Sequence, residues 1–135
     1  MSNNSLGNRH SVKKQKLKFM NEFALIFRND FHPEAKFSPD EMQEILKQWQ
    51  TWMGGMAAKG QLANSGTRLG GDGKTVRPSN VITDGPYAEI KEIITGVITV
   101  KASNIDDAAE IAKGCPILNV GGNVEVRDII PMSAN

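Results

Sequence analysis

The strongest constraint on the fold of this chain is an amphipathic stripe with a marked beginning. Met42, Ile45, Leu46, Trp49, Trp52, Met53 and Met56 recur at steps of three and four, the spacing that lays one apolar face along an α-helix. Ser38-Pro39-Asp40-Glu41 stands in front of it. The Ser38 hydroxyl can accept from the backbone three residues on while Glu41 reaches back, and Pro39 suits the first helical position, where no amide donor is needed. Gly54-Gly55 weakens the last turns of the predicted helix and Gly60 stops it. So broad an apolar face has to be buried against something, and its neighbours in sequence read as strands.

Phe23-Ala-Leu-Ile-Phe27 is a continuous apolar run of strand length, predicted as a central strand and followed by a polar loop over residues 28–37. Residues 61–69 read as a Gly-interrupted strand. Gly70-Gly71-Asp72-Gly73 reads as a turn flanked by Arg68 and Arg77, and residues 74–77 and 81–83 as short extended pieces around Pro78-Ser79-Asn80. Residues 95–101 are rich in β-branched side chains, with Gly96 at a point of bend or close approach. Ser103 or Asn104 caps a second predicted helix over residues 105–113, with Ile105, Ala108, Ala109 and Ala112 facing inward; Gly114 and Pro116 end it. In a last strand Val124, Val126 and Asp128 share one face, and Glu125, Arg127 and Ile129 the other.

The order β-α-β, an inserted hairpin, then β-α-β is an α+β plan of the ferredoxin-like βαββαβ kind. Both helices then cover one face of a four-stranded sheet. The other face also carries apolar residues and needs a cover. A second copy of the chain is the simplest one, so the pattern predicts a homodimer.

Composition narrows the functional classes. The 135 residues suffice for one domain with its own core, and 39% hydrophobic with 23% charged residues is an ordinary soluble balance. The expected boundaries are a basic leader over residues 1–18, a domain over 19–131 and a tail over 132–135. In the leader Arg9, Lys13, Lys14, Lys16 and Lys18 give +5 with no acid, while the remaining 11 basic and 15 acidic residues give −4. It has neither interleaved aromatics nor an apolar helical face, so it reads as a disordered or tag-like segment rather than an arm for nucleic acid or lipid. No apolar run approaches the roughly 18 residues of a membrane span, and residues 1–18 lack a signal-peptide core. The single cysteine, Cys115, excludes an intrachain disulfide and reads as a small buried hydrophobe; a cytoplasmic location without membrane or nucleic-acid partners is expected. With two histidines and one cysteine there is no metal constellation, and no Gly-x-Gly-x-x-Gly fingerprint, P-loop or nucleophile elbow is present, so no cofactor or metal is expected.

Residues 81–92, Val-Ile-Thr-Asp-Gly-Pro-Tyr-Ala-Glu-Ile-Lys-Glu, are the expected location of function. Asp84-Gly85-Pro86 reads as a turn that presents polar groups on a loop held by rigid elements. Asp84 is the candidate acid or base: partial burial would raise its pKa, and Lys91 or Arg77 would lower it. Its alternative task is to accept backbone N–H groups and hold the turn. Tyr87 offers a hydroxyl to a ligand or shapes a cavity wall. Glu89, Lys91 and Glu92 alternate in sign, a pattern worth about 0–1 kcal/mol per pair on a surface. Arg68 and Arg77 offer bidentate clamps for a carboxylate or phosphate. Trp49 and Trp52 belong to the helix stripe, with an edge available to line a cavity. His32, in the loop before Pro33, reads as a solvated residue.

Thr83-Asp-Gly-Pro-Tyr-Ala-Glu-Ile-Lys-Glu92 followed by Gly96 resembles the YCII-related family, in particular its DGPF branch. The resemblance extends over Ser38-Pro-Asp-Glu-Met42, Trp49, Trp52 and Gly60, then a hairpin of Arg68-Leu69 with Thr75-Val-Arg77, and ends with Asp107-Ala-Ala-Glu-Ile-Ala112, Cys115-Pro116 and Val124-Glu-Val-Arg127. It covers roughly residues 19–131 and implies a dimeric α/β barrel. The wider family is suspected of enzymatic activity from a His and an Asp, and some DGPF members are joined to sigma-factor-like domains. Here the first helix reads Lys47-Gln-Trp-Gln-Thr-Trp52 and has no His, which removes the natural partner for Asp84 in a His-dependent mechanism. The resulting expectation is a dimer binding an unidentified small molecule between helix one, the hairpin and residues 84–92, with cofactor-free acid/base chemistry of lyase or isomerase type on a small polar compound at Asp84 if it is an enzyme. The competing class is a non-catalytic binding or regulatory module associated with transcription.

Overall fold

The Ser38 box forms as its residues require. In a computed structural model describing residues 20–29, 37–85 and 93–132, the Ser38 side chain accepts from the Glu41 amide at 3.2 Å and the Ser38 amide donates to Glu41 Oε1 at 2.9 Å. Pro39 opens helix α1, Pro39–Ala58, which runs through Gly54-Gly55 and ends two residues before Gly60. The basic leader, His32, and residues 86–92 lie outside the described residues.

Strand β1 (Asn21–Asn29) precedes α1 and β2 (Leu62–Arg68) follows it; β3 (Lys74–Arg77), β4 (Val81–Asp84), β5 (Ile93–Ala102), helix α2 (Ile105–Ala112), a 3-10 turn (Pro116–Val120) and β6 (Asn123–Asp128) complete the order. The main sheet runs β2-β5-β1-β6, with every neighbouring pair antiparallel. Each helical connection therefore skips one strand, which is the ferredoxin-like arrangement the periodicity predicts.

Register assigns the faces. Leu25 stands opposite Ile98 on one side and Val126 on the other, and Phe27 opposite Gly96 and Val124. These positions join Phe23, Val100 and Ala102 in a core with Met56 of α1, Ala108 and Ala112 of α2, Cys115 and Ile117, so both helices cover the same face. Asn104 is the cap of α2, its side chain accepting from the Asp107 amide at 2.8 Å. That cap turns Ala108 and Ala112, one turn apart, toward the sheet, and leaves Ile105 47% exposed instead of inward. Cys115 is buried, and loss of water around it pushes the thiol up to about 12, which fits a packing residue and not a nucleophile.

The inserted hairpin differs from its prediction. β3 and β4 pair with each other, Val76 opposite Ile82, in a two-stranded sheet separate from the main one. The chain reverses at Pro78–Asn80, where Ser79 and Asn80 take φ of 64° and 62°. Two successive positive φ values are what a tight hairpin turn demands, and Asn tolerates them better than most residues. Residues 70–73 are then a link from β2 into the hairpin and not its turn. No helix among the described residues is long and apolar enough to cross a membrane.

Candidate functional site

A cavity of about 590 Å³ lies between α1 and the sheet, within the size range of small-molecule sites. Helix α1 supplies Met42, Ile45, Leu46, Trp49 and Met53; β1 and β5 supply Phe27, Asn29, Thr95, Gly96 and Ile98; and β2 supplies Ser65, Thr67 and Arg68. Its apolar wall is the outer half of the same stripe that builds the core. Phe27, Trp49 and Trp52 meet edge to face, with ring centroids 5.0 Å apart for Phe27–Trp49 and 5.7 Å for Trp49–Trp52. The Trp52 indole N–H also donates to Ile111 O at 3.3 Å, tying α1 to α2.

Two local irregularities shape the floor. Phe27 faces Gly96 while Arg28 faces Ile94, so Thr95 is the extra residue of a bulge. Strict alternation would send Thr95 and Gly96 to opposite faces; the bulge lets both line the cavity, and Thr95 Oγ1 is held by donation to Phe27 O at 3.4 Å. A Cβ at Gly96 would sit 3.0 Å from Thr67 O, which is why a glycine stands there. Strand β2 shifts register twice against β5, between Leu62 and Asn64 and again between Asn64 and Thr67, the stretch that holds Gly66. Gly66 has φ +78°, and a Cβ on it would fall 2.1 Å from Val97 O. Its bare backbone permits the kink after which Thr67 and Arg68 both border the cavity.

The electrostatics are one-sided. Arg68 is the one charged side chain among the described lining residues, which include no carboxylate, imidazole, amine or thiol. Its guanidinium makes no hydrogen bond or ion pair with any described residue. Thr67 and Ser65 add hydroxyls, and Gln43 an amide. No group of His, Cys, Asp and Glu that could hold a metal occurs among the described residues.

Of the candidates from sequence, Trp49 and Arg68 come together in this cavity. Arg77 and Asp84 lie apart from it, on the hairpin. The Asp84 side chain is 93% exposed and accepts from Lys74 Nζ at 2.7 Å across the β3–β4 pair. Gly85 takes φ +82° and donates its amide to Gly73 O at 2.6 Å, closing the open end of the hairpin. Pro86, Tyr87, Glu89, Lys91 and Glu92 lie outside the described residues. Sequence reasoning missed Phe27, Thr67 and Thr95 as lining residues. The signal for them was the interruption of two strand patterns by Gly66 and Gly96.

On the face turned from the helices, Ile26 sits between Val97 and Glu125. Arg28 donates to Glu125 Oε1 at 2.9 Å, and Arg127 lies 3.4 Å from Oε2 of the same carboxylate. The Arg28 hydrogen bond, first of several causes, holds the Glu125 carboxyl below its usual value.

Against known proteins, a family model of the YCII-related domain matches residues 23–133. Comparison with curated proteins gives no match.

Proposed function

The chain belongs to the YCII-related domain family, and on that premise we propose that it binds a small, largely apolar molecule in the cavity between α1 and the sheet. The observation that carries this reading is the cavity of about 590 Å³, apolar on the helix side and bordered by one guanidinium that has no partner among the described residues. Binding is better supported than acid/base catalysis, because the described lining offers no group that exchanges a proton near neutral pH. A cofactor-free lyase or isomerase reaction would draw its base from Asp84, whose exposure and pairing with Lys74 give that reading less support. A regulatory role would use the same binding event without turnover. The segment at residues 83–92 supports the DGPF branch within the family, and a lone cysteine supports a cytoplasmic location.

The finer architecture in this proposal is a two-fold dimer with sheets face to face, an α/β barrel. Its support is the open sheet face, where Ile26 and Val97 form an apolar centre beside the Arg28, Glu125 and Arg127 charges. Light scattering should give roughly twice the chain mass of 14.7 kDa; a stable monomer at micromolar concentration removes the dimer from the proposal.

Binding is tested by a thermal-shift screen of small apolar metabolites, read alongside tryptophan fluorescence from Trp49. A ligand at 100 times its dissociation constant stabilises the folded chain by about 2.7 kcal/mol, enough to raise the melting temperature by several degrees. A broad screen with no compound that shifts melting or fluorescence overturns the binding reading.

A further inference from the structure

We propose that the ligand is a compact apolar monocarboxylate: one aromatic or alicyclic ring bearing one carboxylate, the ring against Phe27 and Trp49 and the carboxylate on Arg68. This rests on the binding reading above and adds the ligand's charge and class to it.

Charge balance gives the sign and the number. The described lining carries one cation and no anion, so a cationic ligand would face unopposed like charge, and a dianion would bring a second charge that the described lining does not pair. One negative charge is the matched case. Arg68 is ready to meet it, since its guanidinium has no partner among the described residues and need not break a pair to bind. A planar fork of N–H donors fits a carboxylate by two parallel hydrogen bonds. The hydroxyl of Thr67, next in sequence and in the same lining, is likewise without a partner among the described residues and can serve one carboxylate oxygen.

Phosphate is disfavoured by the surroundings. The N-terminus of α1, the usual second contributor to a phosphate site, is closed by its own Glu41 carboxylate on the Ser38 amide at 2.9 Å. The rest of the wall calls for a ring. Phe27 and Trp49 already pack edge to face at 5.0 Å, an arrangement that a third ring can extend, and Met42 and Met53 adapt to its outline.

The test is calorimetric titration of the full chain with trans-cinnamate, with the isosteric neutral trans-cinnamide, and with inorganic phosphate, at neutral pH and low salt. Cinnamate should bind at least about tenfold more tightly than cinnamide, the scale of a charge-assisted bond against a neutral one. Arg68→Gln should lower cinnamate affinity to the cinnamide level and leave cinnamide unchanged, and Arg68→Lys should fall between. Equal binding of acid and amide to the unaltered chain overturns the carboxylate assignment while leaving an apolar site standing. Phosphate displacing cinnamate at matched concentration also overturns it, in favour of a simple anion site. Failure of both cinnamate and cinnamide at millimolar concentration counts against the binding reading itself and takes this inference with it. The comparison of acid with amide needs no variant, so misfolding of a mutant cannot obscure the result.

Discussion

Arg68 and Asp84 are both exposed charges, but their surroundings differ. Asp84 lies on a two-stranded hairpin, 93% exposed, with Lys74 as its partner in water. Such a pair is worth about 0–1 kcal/mol, and either member can be lost without leaving a buried charge behind. Arg68 lies at the edge of the main sheet, beside an apolar wall, with no partner among the described residues. The acid is the more conspicuous residue in the sequence, while the arginine is the one that borders a cavity. Conspicuous turn chemistry and a cavity wall are separate properties, and here they fall on different elements.

The widest separation between the two regions should appear on truncating their apolar residues. Phe27 is buried under both tryptophans, and Phe27→Ala should cost about 3–5 kcal/mol in urea unfolding while abolishing ligand binding. Val76, 68% exposed on the hairpin, should change stability by less than about 0.5 kcal/mol when cut to Ala. A large loss for Val76→Ala would mean that the hairpin packs against something, a second copy first of all.

Glycines sharpen the same contrast at a smaller scale. Gly66→Ala pushes a Cβ against Val97 O and keeps an unfavourable φ, so about 2–4 kcal/mol of destabilisation is expected, with loss of the cavity edge. Gly85→Ala meets open space and should cost only the conformational term, about 1–2 kcal/mol. Equal costs would show that the hairpin base is as tightly determined as the cavity floor.

Charge substitutions come next. Asp84→Asn and Lys74→Ala should each lower stability by no more than about 1 kcal/mol. Asp84→Asn should also leave cinnamate affinity unaltered; turnover of any substrate that disappears in this variant would restore Asp84 as the acid or base. The smallest effect is expected on the open sheet face. The Glu125 carboxyl is held below its ordinary 4.5 in the folded chain, chiefly by Arg28. Its contribution is therefore present above that pH and is lost as the pH falls through the lower folded value. Glu125→Gln should flatten this part of the acid limb in melts recorded across the range, and an unchanged limb would show that the ion pair does not contribute to stability.

Periodicity carried most of the fold. The stripe from Met42 to Met56 and the alternation of Val124 and Val126 each placed a face correctly, because burial in a sheet-and-helix layer admits few other patterns. The extended pieces at 74–77 and 81–83 around Pro78-Ser79-Asn80 were legible, but their pairing with each other was not, because Gly70-Gly71-Asp72-Gly73 looks more like a hairpin turn. Strand pairing is decided by partners distant in sequence, and β2 is taken by β5. The cavity was only partly legible for a related reason. Trp49 and Arg68 were visible as residue types, but Thr95 enters through a bulge that shifts its side chain off the expected face, and strict alternation cannot register a bulge.

Burial of Cys115 has a practical consequence. It is the chain's sole thiol, 2% exposed and packed into the core with Ala112 and Ile117. A thiol-reactive dye added to the native protein can modify only molecules that have opened around that residue. Labelling rate thus becomes an intrinsic clock for core opening, with no engineered probe. Read with and without ligand, it measures how firmly occupancy of the neighbouring cavity holds the helices to the sheet.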